Sequence, residues 1–82
     1  RGASDEASDI LRRIESLPPH QRLVLGHLVN GRLNKQIVHD LGVSMTTVKA
    51  HVSAILQKLG VFSRTQAVIK ANQVHFTADE KS

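Results

Sequence analysis

The sequence predicts an all-α fold: a compact four-helix domain preceded by a short N-terminal linker helix. Three observations predict it. Apolar residues recur at three- and four-residue intervals through most of the chain. Proline or glycine stands at most ends of those runs. Nowhere do apolar and polar residues alternate as in a half-buried strand, and no internal repeat or low-complexity tract interrupts the pattern.

Residues 1–8 are small, polar and acidic, the composition of a disordered tether. From Asp9, the stripe Ile10, Leu11, Ile14 and Leu17 marks a short linker helix that Pro18 and Pro19 end, because proline disfavours helix in the residue before it. Residues 1–16 are thus expected to be a polar linker, and such an opening suggests a longer protein continuing upstream. The domain proper spans 17–76. Its first helix, about Pro19 to Val29, carries Val24, Leu25, Leu28 and Val29 at helical spacing and closes at Asn30-Gly31. A second, about Asn34 to Leu41, turns Ile37, Val38 and Leu41 inward and stops at Gly42. Ser44 is a hydroxyl cap for a longer third segment that runs to Leu59 before Gly60. Ser63-Arg64-Thr65-Gln66 has capping-box spacing for a fourth helix from about Arg64 to His75, buried through Ala67, Ala71 and Val74. Residues 77–82 should fray.

Composition narrows the function. Eighty-two residues without cysteine make one small core that helix packing alone must hold, and point to an intracellular protein. No apolar run approaches the roughly twenty residues of a membrane span, and the opening residues lack a signal peptide's apolar stretch. The formal net charge of +4 is unevenly spread: residues 1–19 carry −1, whereas residues 20–76 set seven cations against Asp40 alone, a net of +6. A positive folded part favours a polyanion as partner.

The stretch Leu33 to Val61 describes two amphipathic helices hinged at a glycine, the pattern of a helix-turn-helix whose second helix can enter a DNA major groove. At about 100° per residue, Val48, Val52, Ile55, Leu56 and Leu59 share the core side of that helix. The opposite side presents Thr46, Thr47, Ala50, Ser53, Ala54 and Gln57, with Lys49 at its edge. Short side chains let the helix axis approach base edges. Lys49 can donate to guanine O6 and N7, a Thr or Ala methyl can meet a thymine methyl, and Ser53 or Gln57 can hydrogen-bond deeper; Lys49, Ala50 and Ser53 are the expected base readers. Lys35, Thr46, Thr47, Lys58 and Arg64 are the expected phosphate contacts, helped by the positive dipole end of the third helix.

The motifs Asn34-Lys35-x-Ile37, Leu41-Gly42-Val43-Ser44, Thr47-Val48-Lys49-x-His51-Val52, Ile55-Leu56-x-Lys58-Leu59-Gly60-Val61 and Arg64-x-x-Ala67 closely resemble the LuxR-type helix-turn-helix, the GerE or NarL/FixJ output domain of bacterial transcription regulators. The match runs from roughly Leu17 to Phe76. The resemblance implies base contacts at Lys49, Ala50 and Ser53, backbone contacts at Lys35, Thr47, Lys58 and Arg64, and a homodimer on two half-sites through the last helix. It also implies RNA polymerase as a further partner, the context of a response regulator or a ligand-responsive regulator, and a bacterial cytoplasmic, nucleoid-associated setting. Three departures stand out. Leu17-Pro18-Pro19-His20-Gln21 replaces the family's Leu-Thr-Pro-x-Glu, Leu33 stands where a serine-like cap is usual, and Met45 replaces an acid. Ser53 also lies where some relatives carry a long basic side chain, which implies fewer deep base contacts.

On the fourth helix, Ile69 and Phe76 with Val68 and Asn72 nearby form an apolar patch suited to a two-fold contact. The competing expectation has Ile69 and Phe76 folding back onto the linker helix. His20, His27, His39, His51 and His75 have no ligand-type spacing, so no metal or other cofactor is expected; His51 stands at the margin of the reading face. No nucleophile–base pairing or glycine-rich phosphate loop points to an enzyme, a small-molecule ligand is not expected here, and no membrane partner is. Two alternatives share the helix-turn-helix. Leu17-Pro18, Arg22 and Leu41 to Lys49 look similar to a sigma-factor promoter-reading domain, though Gly60-Val61-x-x-Arg64-x-x-Ala67 fits the LuxR type better. The other is a protein-docking module without DNA contact.

Overall fold

A computed structural model describes residues 2–76 of the chain; the expectation of fraying at 77–82 lies outside the described residues. Five helices follow in order: α1 (Gly2–Glu15), α2 (Pro19–Val29), α3 (Asn34–Leu41), α4 (Met45–Leu59) and α5 (Arg64–Gln73). Among the described residues there is no strand.

The first helix differs from expectation. Instead of a tether leading into a short linker helix, α1 is continuous from Gly2, and it packs on α4 and α5. Ile10 and Ile14 keep only 4% and 2% of their surface exposed. Polarity suggested a tether, but Ala3 and Ala7 are strong helix formers, and Glu6 finds a partner far along the chain: the Lys70 ammonium donates to its carboxylate at 2.8 Å. Polar composition could not disclose that ion pair. Leu17, buried after the helix ends, carries the chain into the Pro18-Pro19 turn.

The other four helices occupy the predicted segments, with α5 ending two residues early. Pro19 opens α2 at its first turn, where its missing N–H costs no hydrogen bond, and Pro18 before it supplies no side-chain cap. Leu33 likewise has no oxygen to cap α3. Half of a capping box survives, because the Leu33 N–H donates to Gln36 Oε1 at 2.9 Å. The turn from α3 to α4 depends on Gly42, whose φ of 68° lies in the left-handed region that a Cβ disfavours.

Helix α4 is the centre of the molecule and packs against each of the other four. Val48 and Ile55 are wholly buried on its inner side, with Val24 and Leu25 of α2, Ile37 of α3 and Ala67 and Ala71 of α5 completing the core. Val29, Val38, Leu41, Val52, Leu56 and Val74, expected inside, are partly buried and pack against that core. They stand at the edges of the helical stripes or, for Val74, just past the end of α5, where a small domain has too few neighbours to cover them.

Candidate nucleic-acid interface

Ser44 sets the start of α4. Its hydroxyl accepts from the Thr47 N–H at 3.0 Å and donates to Thr47 Oγ1 at 2.9 Å, so one side chain caps the backbone and orients a second hydroxyl. From there Met45, Thr46, Lys49, Ala50, Ser53, Gln57 and Lys58 are exposed, while Thr47, His51 and Ala54 are half-buried. Burial of Val48, Ile55 and Leu59 on the opposite side forces this outcome, since side chains three and four apart share a face. The three expected base readers, Lys49, Ala50 and Ser53, therefore come together on one exposed surface.

The expected phosphate contacts are arranged around it. Lys35 is exposed on the first turn of α3, Thr46 and Thr47 open α4, and Lys58 lies in its last turn. Arg64 differs. Its Nη1 donates to Asn34 Oδ1 and its Nη2 to the Arg32 carbonyl, both at 2.9 Å, so two of its donors are engaged within the chain and it joins the start of α5 to the start of α3. Asp40, the acid of this region, is paired with Arg32.

Of the expected dimer residues, Ile69 (51% exposed) and Asn72 face outward. Val68 and Phe76 are half-buried against the core. Phe76 is drawn back because His75 takes a left-handed φ of 56° and the Phe76 N–H returns to the Ala71 carbonyl at 3.0 Å.

Sequence reasoning missed three features. Arg13 of α1 donates from Nη1 to the carbonyl of Lys58 at 2.9 Å, placing a second cation at the end of α4. Its exposed spacing gave no hint of a contact forty-five residues away. His51 lies nearly parallel to His20, with ring centroids 6.4 Å apart, joining the margin of the exposed surface to the start of α2. Phe62 is 92% exposed between α4 and α5; only its place beside the Ser63 cap marked it as a loop residue. Among the described residues no group of three His, Asp or Glu side chains could hold a metal, and no helix is long and apolar enough to cross a membrane.

A glycine-hinged helix pair, the second helix buried on one side and exposing small polar side chains on the other, defines a helix-turn-helix module. The profile described as "Bacterial regulatory proteins, luxR family" matches residues 15–71, and the chain belongs to that family. It is 45% identical over 78 residues to a "Glycerol metabolism activator" of Pseudomonas putida, covering 95% of this chain and 35% of the relative. It is 39% identical over 61 residues to the "Transcriptional regulatory protein LiaR" of Bacillus subtilis, covering 74% of this chain and 29% of that protein. The "HTH-type transcriptional regulator MalT" of Vibrio cholerae is 39% identical over 64 residues, 78% of this chain and 7% of the relative. The chain thus spans about a third or less of the length of these relatives. No solved structure matches it.

Proposed function

We propose that this domain binds double-stranded DNA sequence-specifically as the output module of a bacterial transcription regulator, with α4 in the major groove. The observation that carries the reading is the exposed surface of Lys49, Ala50 and Ser53 on a helix whose opposite side is locked into the core. Lys49 donates to guanine, Ala50 contacts a thymine methyl and Ser53 bonds a deeper base edge. Lys35, Thr46, Thr47 and Lys58 neutralise or bond flanking phosphates, and Arg64 keeps α3 and α5 in register while offering its remaining donors to the backbone. The role is binding, not catalysis, in the cytoplasm at the nucleoid.

A homodimer through α5, centred on Ile69 and Asn72 with Val68 and Phe76 at its inner edge, would place two such helices on paired half-sites. RNA polymerase is a further partner in this reading. The family relationship, and the similarity to LiaR and MalT, support the regulatory setting. Selection of bound sequences from a random duplex pool is the direct test. Enrichment of a two-half-site motif is expected; recovery of no motif, with binding equal on all duplexes, would overturn specific reading.

A further inference from the structure

The exposed face of α4 has two unlike flanks. Lys49 stands on one. Along the other, Thr47, His51, Ala54 and Lys58 succeed one another at helical spacing. Toward its C-terminal end this second flank becomes the wall of an open groove, lined by Ala54, Gln57 and Lys58 of α4, Gln21 of α2 and Arg13 of α1. Two cations from helices distant in sequence thus meet beside the face that reads bases.

Arg13 is held there by its own bonds. Nη1 donates to the Lys58 carbonyl at 2.9 Å and Nε donates to Asp9 Oδ2 at 2.9 Å, which leaves the rest of its five N–H donors without a partner among the described residues. The side chain remains 43% exposed. A planar guanidinium with two donors engaged and others open to solvent is pre-organised for a phosphate oxygen, because little rotamer freedom is left to lose. Asp9 partly offsets its charge.

We propose that Arg13 contacts a DNA backbone phosphate next to Lys58, so that α1 belongs to the DNA-binding surface although it lies almost wholly outside the family-matched segment. The inference rests on α4 being the major-groove helix. Arg13 extends the phosphate track of Thr47 and Lys58 beyond the last turn of α4 and onto a second element. Asp9, at the same place, opposes the phosphate. Its removal should act in the opposite direction to removal of Arg13.

The test is fluorescence-anisotropy titration of a random-sequence duplex over a range of salt concentrations, with thermal melting of each variant. Arg13→Gln is expected to lower the log–log salt slope by about one unit, the signature of one lost phosphate contact. Asp9→Asn should tighten binding. Glu15→Gln makes the same charge change two residues after Arg13, on the other side of the helix from it, and should tighten binding less. An Arg13→Gln variant that melts earlier yet keeps the full slope would show that Arg13 only caps α4 through Lys58, and would overturn the inference. Equal gains from Asp9→Asn and Glu15→Gln would also count against it. If the unmodified chain shows no salt-dependent binding, the major-groove reading itself falls; if it binds and only the Arg13→Gln slope is unchanged, that reading stands and the inference alone fails.

Discussion

Arg64 Nη1 donates to Asn34 Oδ1 at 2.9 Å, joining the first residue of α5 to the first residue of α3 across thirty positions of sequence. The same guanidinium reaches the Arg32 carbonyl through Nη2. Lysine presents a single ammonium and cannot reproduce this fork. Arg64→Lys should therefore lower stability by about 1–3 kcal/mol while leaving net charge unchanged. Urea unfolding would measure it, and an unchanged midpoint would show that the fork contributes nothing.

Two serines cap helices here, unequally. Ser44 Oγ accepts from the Thr47 N–H and also donates to Thr47 Oγ1, whereas Ser63 Oγ accepts from the Gln66 N–H at 3.2 Å while the Gln66 side chain turns to the Phe62 N–H. Each serine-to-alanine change should cost about 1 kcal/mol, with Ser44→Ala the larger. Chemical denaturation of both variants gives the order; a larger loss at Ser63 would reverse the assignment.

His75 occupies the left-handed position that ends α5, at φ 56°. Glycine tolerates this conformation without a Cβ clash, so His75→Gly should stabilise the fold by about 0.5–1 kcal/mol, less the entropy glycine regains when unfolded. A raised unfolding midpoint is expected. A lowered one would mean that glycine's unfolded-state entropy and the lost imidazole together outweigh the strain relieved.

Lys49 and Lys58 should separate specificity from affinity. Lys49→Ala is expected to cost about 1–3 kcal/mol on the selected site and to relax preference at one base pair, whereas Lys58→Ala should weaken all sequences alike and reduce the salt slope by about one unit. Competition with single-base variants of the site distinguishes them. Uniform losses for both would remove Lys49 from base reading.

The limits of α2, α3 and α4 were legible because each is written in local chemistry: Pro19 at a first turn, Ser44 at a cap, Gly42 and Gly60 at left-handed ends. The exposed trio Lys49, Ala50 and Ser53 followed as well, since the apolar stripe of α4 leaves only one other side. Residues 2–8 and Arg64 were less legible. Glu6 depends on Lys70, and Arg64 depends on Asn34 and Arg32, partners that no local spacing announces.

Sequence alone determined where α2, α3 and α4 form, where α5 begins and which side of α4 is apolar, because capping, turn conformation and helical periodicity act over a few residues. Tertiary structure decided that α1 joins the core, that Arg13 stands beside Lys58, and that Phe76 turns inward while Phe62 stays out. The first two outcomes come from contacts between segments far apart in the chain, and the burial of Phe76 needs both the local His75 turn and a core for the ring to meet, which depends on how whole helices pack.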